Sequence, residues 1–331
     1  MVNKINSVYI LFLLYATTAC ATIDEASNYF NTSFLIHYDQ VTAALIKDGF
    51  NEIDFYAEDG LKLNGLFLQR PDATCNTILC CGFYPGRKEG LAAFYHLLPQ
   101  NSNIFLFDAR GHGKSDGRFL SKIPFYGLHE YNDIIGAATF LAKQNNKPTI
   151  ILGVCAGAYH TVRAIDKLQK NNAIEKLNIK GLILDSSIIS LLESTRVPKK
   201  YFKHAILPGL LRTSFYPNEN RHEIKKTSFY RLCWTCAAPL LTLFEYFLWP
   251  CVILRNEAID IRPLCAHIDM PIFFIHAQND AYVSFELAQS CAEYASKYWW
   301  PEQSEHACIY LKHKHAYRDH LHDFFATVLH A

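Results

Sequence analysis

One stretch constrains this chain more than any other: Pro148-Thr149-Ile150-Ile151-Leu152-Gly153-Val154-Cys155-Ala156-Gly157-Ala158. The β-branched apolar run 149–152 reads as a strand, and Ala158 to Leu168 reads as a helix. Only a sharp turn fits between them. The apex of such a turn is strained. A β-carbon two residues to either side would strike the neighbouring strand and helix, so Gly153 and Gly157 have a physical role. The apex residue is Cys155, which places a thiol at a helix N-terminus, where the dipole favours thiolate. The plainer use of such a cysteine is as a small buried hydrophobe at a strand end.

The rest of the chain repeats this alternation. Asn51–Ala57 and Leu61–Leu68 alternate apolar and polar residues around Glu58-Asp59-Gly60, a hairpin signal. Thr77–Cys81, Asn103–Phe107 and Lys180–Leu184 are short apolar runs of the buried-strand type. Met270–Ile275 adds another strand, and Cys308–Leu311 reads as the last. Helical spacing marks Lys88–Leu98, Leu128–Gln144, Ser284–Lys297 and Tyr317–His330. Alternating strands and helices predict an α/β fold with a mostly parallel sheet and right-handed crossovers. Regularity breaks over 188–268, where prolines, basic residues and the strongly apolar Leu232–Leu254 occur.

Three motifs carry a family resemblance. Asp108-Ala109-Arg110-Gly111-His112-Gly113-Lys114-Ser115 closely resembles the loop after the fourth strand in monoacylglycerol-lipase-like and serine-aminopeptidase-like hydrolases. Gly153–Gly157 resembles the nucleophile elbow of the α/β-hydrolase superfamily, with cysteine for serine as in dienelactone-hydrolase-type members. His276-Ala277-Gln278-Asn279-Asp280-Ala281-Tyr282-Val283 is similar to the run that bears the family's acid, with Ala277 in place of glycine. The resemblance implies an α/β-hydrolase fold, with an eight-stranded sheet flanked by helices and a helical cap inserted after the sixth strand. Its core would be 22–187 and 269–331, and its cap 188–268.

The resemblance also implies roles. Cys155 would be the nucleophile and Asp280 the acid. The base follows the last strand, which favours His315 over His313, with Lys314 where glycine is usual. The backbone N–H groups of Phe83 and Ala156 would form the oxyanion hole. His112 is then structural, because the family's base comes later in the chain.

A Cys-His-Asp triad would act on a small-molecule acyl substrate through an acyl-enzyme. Thiolate attacks readily but also leaves readily, so thioesters, lactones and activated esters suit it better than alkyl esters or peptides. Two other readings remain open at this point: acyl transfer to an amine or alcohol, and a catalytically inactive binding protein. No cofactor is expected. Cys233-x-x-Cys236 has no second pair, His313 and His315 share a face only if the strand continues that far, and His320 and His322 do not share a helical face, so no metal site is expected either.

Composition excludes a nucleic-acid surface. Net charge is +1 with acids and bases interspersed. The N-terminus reads as an export signal over 1–21: Lys4, the apolar Val8–Tyr15, then Ala19-Cys20-Ala21 before Thr22. Lipidation at Cys20 or an uncleaved anchor are the alternatives. The eleven cysteines are scattered like buried hydrophobes rather than paired like a disulfide framework. For Leu232–Leu254 three readings compete: a lid over an acyl pocket, a membrane-surface contact, and a membrane-spanning helix.

Overall fold

The computed structural model describes residues 38–82, 86–117, 128–191, 199–200, 203, 207, 211, 221–255 and 260–330. The export-signal segment 1–21, Cys20 and Phe83 lie outside them. Helix α1 is Tyr38–Lys47. Strands β1 (Asn51–Tyr56) and β2 (Lys62–Leu68) form the expected hairpin. Strand β3 (Cys75–Cys80) precedes a 3₁₀ segment, Lys88–His96, and strand β4 (Ser102–Phe107). Helix α2 (Tyr131–Gln144), strand β5 (Thr149–Val154), helix α3 (Ala156–Lys170) and strand β6 (Ile179–Asp185) follow. After helix α4 (Ser228–Arg255) come β7 (Ile272–Ile275), α5 (Phe285–Gln289), β8 (Lys297–Trp299), α6 (Ile309–Lys312) and α7 (Lys314–His330).

The eight strands make one sheet in the order β1-β2-β4-β3-β5-β6-β7-β8. Pairing is antiparallel between β1, β2 and β4, and parallel from β4 through to β8. Strands β3, β4 and β5 are buried along their whole length. This is why they read as unbroken apolar runs: helices cover both faces of a parallel sheet.

Register shows which face each helix covers. Phe105 pairs with Ile78, Ile78 with Ile151, Ile151 with Leu182 and Leu182 with Ile272, so these five share a face. Helix α2 lies on it, with Phe140 at 5.1 Å from the Phe105 ring. Phe273, the next residue along β7, points the other way and meets Phe324 of α7 at 5.6 Å. Two rows of aromatic packing thus clamp the sheet between α2 and α7.

Contacts divide the chain into two units. One is Asp39–Arg196 with Phe247–Ala331, and the other takes in Val197–Tyr246. Within the first unit Ser190 bridges Asp260, and the Ile261 N–H donates to the Ile189 carbonyl at 3.0 Å. In the second unit Leu207, Leu211, Ile224 and Tyr230 are buried together, with Trp234 and Leu241 packed against them.

Two sequence expectations require correction. The helix expected over Ser284–Lys297 stops at Gln289, and the last strand is Lys297–Trp299. Cys308–Leu311 is not that strand; Ile309–Lys312 is a short helix. A run of four apolar residues has no period of its own, and here it buries Ile309 and Tyr310 on one helical turn.

Candidate active site

The elbow forms as its glycines require. Cys155 has φ 55° and ψ −118°, a left-handed conformation strained for any residue but glycine, and α3 begins immediately after it. A Cβ on Gly153 would lie 2.5 Å from the Ala158 Cα, and one on Gly157 would lie 2.4 Å from the Cys80 carbonyl oxygen. Either side chain would push the helix off the sheet. Ala156 opens α3, so its N–H is among the first-turn amides that have no partner within the helix. Cys155 is a free, half-buried thiol.

Asp280 comes from the loop after β7 and is buried. Its Oδ1 accepts from the N–H groups of Tyr282 (2.8 Å) and Val283 (3.0 Å). Its Oδ2 lies 2.6 Å from the Nδ1 of His306. The Cys155 sulfur is close enough to His306 to help raise the pKa of its ring. With Nδ1 held by Asp280, the other ring nitrogen is left for a different partner.

The imidazole at this site is therefore His306, not the expected His315. His315 sits exposed on the first turn of α7. The displacement follows from the misplaced last strand. Because β8 ends at Trp299, the loop that brings up a histidine is 300–308. It is tied to the Asp280 loop at three points: the His276 N–H donates to the Trp299 carbonyl (3.1 Å), the Gln278 N–H to Pro301 (3.1 Å) and Gln278 Nε2 to Trp300 (2.8 Å). The sequence carried a usable signal in Lys297-Tyr298-Trp299-Trp300. This run is rich in β-favouring aromatics and is stopped by Pro301.

Charge is arranged to hold an imidazolium. Burial alone would lower the His306 pKa, but the Asp280 carboxylate and the Cys155 sulfur outweigh it and hold it well above the usual imidazole value. Burial likewise opposes the Asp280 charge, yet His306 and the Val283 N–H keep that carboxyl below its ordinary range. His276, 3.5 Å from Asp280 Oδ2, is pushed down by burial and by the neighbouring His306. It remains the neutral ring of the pair.

The Asp108–Ser115 motif is scaffold. Asp108 Oδ1 accepts from the Lys88 N–H (2.9 Å), and its Oδ2 accepts from Lys88 Nζ (2.7 Å) and the Lys114 N–H (2.9 Å). Gly113 is required because a Cβ there would lie 2.2 Å from that Oδ2. Arg110 grips Asp133 through Nε (2.7 Å) and Asp59 through both terminal nitrogens (2.8 and 2.9 Å). His112 packs on Gly86, at the end of the loop that follows β3. A cavity of about 30 Å³, room for one water, lies behind the elbow between Gly82, Ala156, Arg110, Asp133 and His160.

Sheet order, elbow and the loops after β7 and β8 define an α/β-hydrolase. Residues 86–298 match the family model described as serine aminopeptidase, S33, and the chain belongs to that family. A curated relative, an uncharacterized Bacillus subtilis protein called YqkD, is 24% identical over 262 residues, covering 77% of this chain and 72% of that one. Among solved structures, the esterase Pf2001 of Pyrococcus furiosus superposes with a TM-score of 0.60 at 18% identity, covering 86% of this chain and 95% of that one. A putative aryl esterase from Burkholderia cenocepacia gives 0.55 at 16% identity, covering 85% and 100%. Among the described residues no cluster of three or more histidine, cysteine or acidic side chains could hold a metal ion.

Proposed function

We infer that the protein is an esterase or thioesterase that works through Cys155, His306 and Asp280. The observation that carries this reading is three groups from three separate loops: a carboxylate 2.6 Å from Nδ1, and a thiol at the helix N-terminus close enough to that ring to help raise its pKa. The thiolate adds to the acyl carbon, and the carbonyl electrons move onto oxygen, which faces the Ala156 N–H. As that tetrahedral species collapses, His306 gives its proton to the departing alkoxide or thiolate. A thioester to Cys155 remains. His306, now neutral, takes a proton from water. Hydroxide adds to the thioester, and the sulfur leaves to restore the thiolate–imidazolium pair. Asp280 keeps the ring in one tautomer throughout. The sulfur's ease of leaving favours substrates whose own leaving group is good, thioesters and activated esters first.

The test is a panel of p-nitrophenyl esters of graded chain length and acyl-CoA thioesters, run on the native protein, Cys155→Ala and Cys155→Ser. Turnover with a burst of acyl-enzyme mass on Cys155, absent in Cys155→Ala, is the supporting result. Turnover unchanged in Cys155→Ala overturns the reading.

A second reading concerns where the substrate is met. Helix α4 is apolar on opposite sides. Tyr230, Trp234 and Leu241 face the interior of their own unit, while Leu232 (61% exposed), Leu240 (66%), Leu243 (66%) and Tyr246 (63%) face out. Residues 197–246 hold eight lysines and arginines against three glutamates, in a chain of net charge +1. An exposed apolar helix face in a basic segment fits an anionic lipid surface. Among the described residues no helix is long and apolar enough to cross a membrane, so the contact is interfacial.

A further inference from the structure

The three loops of the candidate active site meet at one two-residue joint that takes no part in the chemistry above. The Asp185 carbonyl accepts the N–H of Cys155 at 2.8 Å. The Ser186 N–H donates to the Ile275 carbonyl, the last residue of β7 before the Asp280 loop, at 2.8 Å. The Ser186 hydroxyl oxygen accepts the N–H of Ala307, the residue after His306, at 3.0 Å. Both Asp185 and Ser186 are fully buried.

The direction of the hydroxyl is fixed from behind. Ser186 Oγ donates to Asp185 Oδ1 at 2.8 Å, and the Tyr317 hydroxyl of α7 donates to Asp185 Oδ2 at 2.7 Å. An ionised carboxylate only accepts, so the Ser186 proton points at Asp185 and its lone pair is left for Ala307. That amide needs holding. Ala307 has φ +54°, a conformation that non-glycine residues leave readily, and Gln303 at the other end of the loop has the same φ. His306 thus rides on a loop with a strained residue directly after it, and the Ser186 oxygen grips that residue's N–H.

We propose that Ser186 is a positioning residue that sets the His306 ring against the Cys155 sulfur, with Asp185 and Tyr317 aiming its hydroxyl. The proposal rests on the Cys155–His306 reading and adds to it a group that touches neither substrate nor reacting atoms. The backbone of Ser186 has φ +51°, which glycine adopts freely. Ser186→Gly therefore removes the hydroxyl without asking the chain to adopt anything new. If conformation were all that mattered here, glycine would serve as well as serine.

The experiment compares native protein, Ser186→Gly, Tyr317→Phe and the double variant. It reads kcat and KM for p-nitrophenyl butyrate, and the pH dependence of Cys155 alkylation by iodoacetamide. A ring misplaced by an ångström costs about 100-fold in rate. Ser186→Gly is expected to lose roughly 10- to 100-fold in kcat with KM nearly unchanged, and to shift its alkylation limb to higher pH. Tyr317→Phe is expected to move both readouts the same way by less, and the double variant to add little to Ser186→Gly. A folded Ser186→Gly with native kcat and a native alkylation limb overturns the proposal alone. If the native protein turns over no ester and its Cys155 alkylates no faster than the buried thiols, the catalytic reading falls and the proposal falls with it.

Discussion

The Nδ1 of His306 lies 2.6 Å from the Oδ2 of Asp280, and on the proposed function this contact makes His306 the base. It sets His306 in the place that the sequence alone assigns to His315. His306→Ala should reduce kcat/KM by roughly 100- to 10,000-fold, the range for loss of a positioned general base. His315→Ala, on an exposed helical turn, should leave kcat/KM within about twofold of native and stability within about 0.5 kcal/mol. Steady-state kinetics on one activated ester decides between them.

The pH response follows from the same pair. The folded pKa of His306 is raised above 6.5, so its stabilising charge is fully present below 6.5 and is lost as pH climbs through the raised value. The folded pKa of Asp280 is lowered below 3.8, so its contribution is present above 3.8 and is lost as pH falls through the lowered value. Native kcat/KM should hold well past pH 6.5 before its alkaline limb. Asp280→Asn removes the charge that raises His306 and should move that limb to lower pH, alongside a large loss of rate. A pH–rate profile on each protein measures the displacement.

Thiol chemistry should single out Cys155. Burial pushes the Cys81, Cys291 and Cys308 thiols up to about 12 and raises those of Cys75, Cys80 and Cys265. Cys155, unlike these six, is half-buried and close enough to His306 to help raise the pKa of its ring. Iodoacetamide at pH 7 should modify it at least 10-fold faster than any of those six, with rate following thiolate fraction. Peptide mapping over time reads the order directly.

Much of this architecture was legible because the central strands are buried on both faces. Thr77–Cys81, Asn103–Phe107 and Thr149–Leu152 announce themselves as unbroken apolar runs, and the elbow glycines mark the turn by what a β-carbon would strike. The edge was not legible. Strand β8 has three residues, with Tyr298 55% exposed, and its pairing with β7 fixes it more than its own pattern does. Missing that strand put the expected base at His315, whereas the histidine beside Asp280 is His306. The Ser186 joint was invisible for a related reason: its partners, Cys155, Ile275 and Ala307, are distant in sequence and meet only through sheet order.

The Lys88–Asp108 pair should be the most sensitive polar contact in the scaffold. Both side chains are fully buried, and Nζ lies 2.7 Å from Oδ2. Lys88→Met would leave Asp108 with its amide donors but no countercharge. Removing one partner of a buried pair costs about 3–5 kcal/mol. Replacing both, Lys88→Met with Asp108→Asn, should recover part of that loss because Asp108 no longer carries a charge, while Glu89, which loses Lys88 at 3.6 Å, keeps Arg87 at 3.1 Å. Urea unfolding of the three proteins gives the comparison. Equal destabilisation in the single and double variants would show that the pair contributes through packing and not through charge.

Helix α4 offers a test that does not touch the chemistry. Leu240 and Leu243 lie on its exposed side, one turn apart, and neither packs in the interior of its unit. Each leucine buried in lipid is worth about 1.5–3 kcal/mol, so Leu240→Ser with Leu243→Ser should weaken vesicle binding by roughly 100-fold or more. The basic residues add an attraction that salt screens. Binding to phosphatidylserine-containing vesicles should therefore exceed binding to phosphatidylcholine vesicles at low salt, and the gap should narrow as ionic strength rises. Turnover of a short soluble ester should be unchanged in the double variant, because neither leucine belongs to the Cys155, His306 and Asp280 loops. Co-sedimentation at two salt concentrations reads the lipid arm. Equal pelleting of native and double variant would remove the interfacial reading and leave the catalytic one standing.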